Sequence, residues 1–173
     1  YPEWDATLHL IDSFPIPAGW RRFRSIDFGF TNPYVCQWWA IDGDGRLYLY
    51  REIYRTQRLV EDHARQIVAL SQGETIEATV ADHDAEDRAT LERYGVYTQP
   101  ATKDVSPGIQ AVQARLRRAG DGKPRLYVLR DALVDTDPAL LSAKKPTCTE
   151  EEMAGYVWQG AVEGRATKEE PLK

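Results

Sequence analysis

The sequence has only two cysteines, Cys36 and Cys148, and neither sits in a CxxC motif or a Cys/His cluster. That argues against a zinc site and a disulfide framework, and it fits a reducing compartment. No stretch approaches the ~18 consecutive apolar residues of a membrane span. No signal peptide opens the chain, because Tyr1 to Leu10 mixes Glu3, Asp5 and His9 among its apolar residues. An initiator Met is also missing, so the sequence reads as a piece cut from something longer. Positive charge is scarce: 22 Lys and Arg stand against 27 Asp and Glu, for a formal net charge of -5. This argues against a protein that coats nucleic acid through bulk positive charge. It does not exclude a nuclease, whose acidic site lowers the count while basic residues cluster locally. No GxxxxGK[ST] loop is present, so no ATP hydrolysis of that type is expected. Internal repeats and low-complexity segments are absent as well. What remains is a chain of 173 residues, enough for one domain with a sizeable core.

Residues 1–20 read as an extended arm, since Pro2, Pro15 and Pro17 discourage a helix. Three strands follow. Phe23 to Phe28 runs into Asp27-Phe28-Gly29, Tyr34 to Ile41 is rich in Val and Trp, and Leu47 to Tyr54 is joined to it by Asp42-Gly43-Asp44-Gly45, a hairpin turn. Leu59, Val60, His63, Ile67 and Leu70 then recur at helical spacing, closed by Gly73. Thr75 to Ala81 alternates as a strand that ends at Asp82. Asp84 reads as an N-cap with Glu86 and Asp87 in the first turn, and Gly95 lies past the end of that helix. Val96 to Thr98 is a short strand. Ser106-Pro107 opens a helix with Val105, Ile109, Val112 and Leu116 as its apolar stripe. Arg125 to Leu129 is the last clear strand. The stretch around Pro138 and Pro146 reads as loop, Thr149 to Gly155 as a short helix, Tyr156 to Trp158 as an extended piece and Gly164 to Lys173 as a polar tail.

The order β-β-β-α-β-α-β-α-β-α predicts an α/β domain. Three antiparallel strands are followed by parallel βα units, in a mixed sheet with helices on both faces. The ribonuclease H-like fold has this order, and in it the first strand pairs with the fourth. Asp27 and Asp82 then end neighbouring parallel strands, about 4.8 Å apart. Two carboxylates that close repel, and a divalent cation removes the conflict. Hard oxygen ligands suit Mg²⁺ or Mn²⁺, and a pair of such ions about 3.5–4 Å apart is a known arrangement for phosphodiester cleavage. Each aspartate alone also has a plain reading as a turn former or helix cap; it is the pairing at adjoining strand ends that points to a site.

At these residues the sequence resembles the nuclease domain of phage large terminase subunits. The matching pieces are Ser25-Ile26-Asp27-Phe28-Gly29 with Asn32-Pro33, and Val80-Ala81-Asp82 followed by a helix and Gly95. Further on come Lys103, Gly108-Ile109, Tyr156-Val157-Trp158 and Glu170-Pro171-Leu172-Lys173. The resemblance covers most of the chain from Trp20. It implies a metal-dependent DNA endonuclease that cuts concatemeric viral DNA during packaging, with Asp27 and Asp82 as catalytic and metal-binding acids and Mg²⁺ or Mn²⁺ as cofactor. It implies double-stranded DNA, the portal and the small terminase subunit as partners, and the host cytoplasm, at the procapsid portal, as location. Residues 1–20 would be an arm or linker from an upstream ATPase domain, and 21–173 the nuclease domain lacking its C-terminal end. The family's third acid would lie past Lys173, so metal affinity and activity of this piece should fall short of the intact protein. Asp135 to Thr149 looks longer than the family's usual link and reads as an insertion.

Two other readings stay open. Asp27-Phe28-Gly29-Phe30-Thr31 also resembles the phosphate loop of the sugar-kinase and actin superfamily, although those proteins need two such domains. A non-catalytic docking domain is the third. Among lesser features, His83 is either a metal ligand or proton carrier, or a solvated residue at a helix start. Lys103 either reaches a phosphate or is a surface lysine. Arg115, Arg117, Arg118, Lys123 and Arg125, and likewise Lys144-Lys145, contact DNA or water. Of Trp38 and Trp39, at least one belongs to the core. No segment looks like a base-reading helix, so cutting would be sequence-tolerant.

Overall fold

A computed structural model of the chain describes residues 1–155. Its elements are α1 (Ala6–His9), β1 (Leu10–Ile11), β2 (Arg21–Asp27), β3 (Tyr34–Ile41), β4 (Leu47–Arg55), α2 (Val60–Leu70), β5 (Ala78–Ala81), α3 (Ala85–Arg93), β6 (Gln99–Pro100), α4 (Val105–Leu116), β7 (Leu126–Leu129), α5 (Pro138–Ser142) and α6 (Thr149–Gly155). The strands form one mixed sheet in the order β1-β7-β4-β3-β2-β5-β6. β2, β3 and β4 are antiparallel neighbours, and β5 lies parallel to β2 with Phe23 against Ala78 and Ile26 against Ala81. This is the ribonuclease H-like arrangement expected from the element order.

β3 alternates buried and half-buried residues along its whole length, so both faces are covered, one more deeply than the other. Trp38 belongs to one core, with Ile26, Tyr34, Cys36 and Ile53 under Ala64 and Ile67 of α2 and Leu91 of α3. Trp39 packs on the other, with Leu49, Leu126 and Val128 against Leu116 and Val112 of α4. Both tryptophans are therefore core residues, on opposite faces. Both cysteines are free thiols.

Four segments differ from expectation. Residues 1–20 are not simply extended: α1 is capped by Asp5, and Leu10 and Ile11 add a strand beside Val128 and Leu129 of β7. His9 anchors the segment, fully buried, with Nε2 2.7 Å from the Leu116 carbonyl oxygen and its ring stacked on Trp4. The strand predicted at Val96 to Thr98 is displaced to Gln99–Pro100. Val96 is drawn into the core behind Leu91, and Arg88 grips the Thr98 hydroxyl and carbonyl, so the chain reaches β5 only afterwards. α4 begins at Val105 rather than at Pro107. Pro107 still fits, because first-turn N–H groups have no partner within the helix. The loop around Pro138 contains α5. Tyr156 to Trp158 and Gly164 to Lys173 lie outside the described residues.

α5 starts at Asp137, which is 3% exposed. Its carboxylate accepts from the Thr56 N–H and hydroxyl, both at 2.7 Å, and from the Ala139 N–H at 2.9 Å. Burial opposes the charge, but these bonds and the nearby Arg55 outweigh it and hold the carboxyl below its ordinary range. Asp137→Ala should cost about 2–4 kcal/mol, because it removes a cap and orphans buried donors at Thr56. Urea unfolding at pH 7 measures this. The wild-type contribution should fade as pH drops through the depressed carboxyl pKa.

His63 is an unsatisfied group of the core. It stacks on Tyr34 with ring centroids 3.8 Å apart, and both residues are fully buried. Neither ring nitrogen, nor the Tyr34 hydroxyl, has a hydrogen-bond partner among the described residues. Burial, followed by the charges of Arg58 and Arg55, pushes the His63 pKa from 6.5 down to about 4. The unfolded chain therefore binds the proton first, and stability present above pH 6.5 is lost as pH falls through 4. His63→Phe should stabilise the protein by about 1–3 kcal/mol at neutral pH. It should also remove roughly 2–3 kcal/mol of the acid-side loss, as read by urea unfolding at pH 7 and in mildly acidic buffer.

Candidate metal centre

The two aspartates sit where the strand order places them. Ile26 and Ala81 are partners across β2 and β5, and the Asp82 N–H then donates to the Ile26 carbonyl at 3.2 Å. Asp27 and Asp82 thus lie side by side at the carboxyl ends of adjoining parallel strands, and both are exposed. The backbone N–H of His83 donates to Asp82 Oδ1 at 2.6 Å, which restrains that carboxylate. Behind Asp27 the chain turns sharply. A Cβ on Gly29 would stand 2.4 Å from the carbonyl oxygens of both Asn32 and Pro33, so only glycine lets the loop into β3 close.

Asp27 opens onto a cleft of about 250 Å³ lined by Ser25, Ile26, Val35, Gln37 and Glu152. Glu152 is the residue that sequence reasoning missed. Glu150, Glu151 and Glu152 read only as the acidic first turn of a helix, and nothing local tells which of them faces the sheet. In the fold, Glu152 stays exposed at the cleft rim but is bonded to Tyr54 and feels the charge of Asp27. The desolvation it undergoes there, and then Asp27, raise its pKa. Glu52 on β4, 1% exposed, lies deeper, and burial pushes its carboxyl up to about 7 despite two bonds from Thr149.

The other sequence candidates separate cleanly. Asp84 caps α3 by accepting from the Asp87 N–H at 3.0 Å. His83 is exposed at that helix start. Lys103 is exposed just after β6, at the same end of the sheet as Asp82. Four residues of the basic run are engaged locally: Arg117 pairs with Glu3, Arg125 with Asp121, and Arg115 and Arg118 donate to the carbonyls of Ala111 and Gly122. Lys144 and Lys145 are exposed, close to α5.

The donor set suits a hard cation. Two exposed carboxylates on neighbouring strand ends match Mg²⁺ or Mn²⁺, which take one or two carboxylates and fill the remaining positions with water or phosphate oxygen. Among the described residues no three His, Cys, Asp or Glu side chains converge into a ready-made metal site. A cation held by the aspartate pair would take its remaining ligands from water, phosphate oxygen or residues outside the described part.

No protein-family model matches the sequence, and no curated protein matches it. Solved structures do. The large terminase of a thermophilic bacteriophage superposes with a TM-score of 0.70 at 20% identity, over 92% of this chain and 37% of the other. The chain thus spans little more than a third of that terminase. The nuclease domain of the large terminase (g2p) of bacteriophage SPP1, with bound Mn, gives 0.60 at 14% identity over 91% and 82%. The P22 large terminase nuclease domain gives 0.61 at 14% identity over 73% and 70%. In the described part of the sheet, the chain has the ribonuclease H-like fold of the nuclease domain of phage large terminases.

Proposed function

We propose that this chain is a divalent-metal-dependent endodeoxyribonuclease domain of a viral DNA-packaging motor. The observation that carries the reading is the juxtaposition of Asp27 and Asp82 at adjoining strand ends, in a fold shared with terminase nuclease domains, one of which holds Mn. Asp27 and Asp82 would hold Mg²⁺ or Mn²⁺ and keep their mutual repulsion low only while it is bound. The bound ion would supply Lewis-acid stabilisation of charge on a phosphodiester. The chain's own residues prepare the place. Gly29 lets the loop after Asp27 close against Asn32 and Pro33, His83 N–H orients the Asp82 carboxylate, and Lys103 stands at the same sheet end for a phosphate oxygen.

The substrate would be concatemeric double-stranded DNA, cut without base readout. Portal, small terminase subunit and an upstream ATPase domain would be the partners, in the host cytoplasm. The test is plasmid digestion by the chain extended past Lys173, to include the third acid expected there. Nicking that requires Mn²⁺ or Mg²⁺ and stops with chelator supports the reading. Cleavage that is indifferent to chelator, or no divalent binding at all, would replace it with a docking role.

A further inference from the structure

Strands β2, β3 and β4 carry Ser25, Gln37 and Glu52 in one row, because Ser25 pairs with Gln37 and Gln37 with Glu52. Polar groups in the middle of a sheet are costly unless each is bonded. Here they form a chain. Ser25 Oγ donates to Gln37 Oε1 at 3.1 Å, and Gln37 Nε2 donates to Thr149 Oγ at 2.7 Å. Thr149 in turn donates to Glu52 twice, from its N–H at 3.1 Å and from its hydroxyl at 2.5 Å. The row therefore ends on the first residue of α6.

Thr149 and Glu152 are three residues apart and share one face of that helix. The face that bonds Glu52 through Thr149 thus also brings Glu152 to Tyr54 and to the cleft of Asp27. Glu52 has no cationic partner among the described residues, so its burial is not explained by an ion pair. What its carboxylate does hold is the start of α6. An apolar residue would fill the same position on β4 without fixing where α6 docks.

We propose that Glu52 is a positioning residue of the metal centre: through Thr149 it docks the start of α6 on the sheet and so keeps Glu152 as the acidic wall facing Asp27. This rests on the metal-centre reading above. Neither residue needs to touch the ion; Glu52 acts through α6, and Glu152 sets the charge and shape of the cleft wall.

The test is Mn²⁺ calorimetry on the chain, with urea unfolding and amide exchange of residues 150–155 measured in parallel. Thr149→Val and Glu152→Gln should each weaken Mn²⁺ binding by roughly tenfold or more, the size typical of lost outer-shell support. Thr149→Val should also speed exchange in α6. Glu52→Ala should resemble Thr149→Val. Glu52→Gln keeps an amide oxygen that can accept from the Thr149 N–H, so it should recover Mn²⁺ affinity relative to Glu52→Ala. Lower urea midpoints in Thr149→Val and Glu52→Ala, with Mn²⁺ affinity unchanged in all these folded variants, would overturn the proposal, because the row would then be structural only. Asp27→Asn separates the two levels. If it abolishes Mn²⁺ binding while Glu152→Gln and Thr149→Val do not weaken it, the positioning role fails and the metal centre stands. If Asp27→Asn leaves Mn²⁺ bound, the metal centre itself fails.

Discussion

Asp27→Asn and Asp82→Asn are each expected to lower Mn²⁺ affinity and plasmid cleavage by roughly a hundredfold or more, more than is usual for loss of outer-shell support. The substitution keeps size and hydrogen bonding but removes the charge that a hard cation requires. Stability should move the other way or not at all. The two aspartates lie at adjoining strand ends and both are exposed, so their repulsion is relieved in either variant. The combination of unchanged or higher urea midpoint with lost metal binding is what distinguishes a site from a turn. If each aspartate were only a turn former or cap, asparagine would substitute with little change in either quantity. Calorimetry with Mn²⁺ and a plasmid nicking assay read the first effect, and urea unfolding reads the second. Full cleavage in either variant would remove that residue from the site.

Gly29→Ala should be the most damaging glycine-to-alanine substitution among the described residues. The obstacle is space rather than backbone torsion, since the Cβ would stand 2.4 Å from two carbonyl oxygens and 2.7 Å from the Pro33 carbonyl carbon. Those atoms are backbone, so no side chain can swing aside. The 28–33 turn must open or Asp27 must shift, and the cost should be about 3 kcal/mol or more, at the upper end for overpacking. The displaced segment carries Asp27 at one end and Tyr34, a fully buried core residue, at the other. Loss of stability and loss of metal affinity should therefore appear together, unlike in the aspartate variants. Urea unfolding and Mn²⁺ titration of the folded fraction check both. A Gly29→Ala protein within about 1 kcal/mol of wild type would mean that the turn can be rebuilt around a side chain.

The basic side chains also bear on how the domain would meet DNA. Arg117 and Arg125 already face acidic partners, and Arg118 is engaged by a carbonyl. Lys103 is an exposed cation just after β6, at the end of the sheet where Asp27 and Asp82 open.

Much of this protein was legible from sequence alone. The alternation in Tyr34 to Ile41, the Asp-Gly turn and the helix signals before Ala85 and at Thr149 are local, and local spacing fixes them. With the strands in place, element order alone brought Asp27 beside Asp82, because a parallel crossover has few alternatives. Other features had no local signal. Leu10–Ile11 is two residues long, and it is a strand only because β7 offers an edge and His9 finds the Leu116 carbonyl across the fold. Gln99–Pro100 displaced the predicted strand because Val96 was needed by the core and Thr98 by Arg88. Glu52 and Glu152 were equally silent. A charged residue in a strand and an acidic helix turn both look solvated. Thr149, 97 positions from Glu52, docks on it, and that contact closes over Glu52 and sets Glu152 at the cleft of Asp27. The sequence by itself determined the five longer strands, β2, β3, β4, β5 and β7, and with them the aspartate pair, through periodicity that needs only neighbouring residues. The tertiary structure alone decided which carboxylate is buried, and which wall of the cleft is acidic. Those depend on burial and hydrogen bonds between segments far apart in the chain.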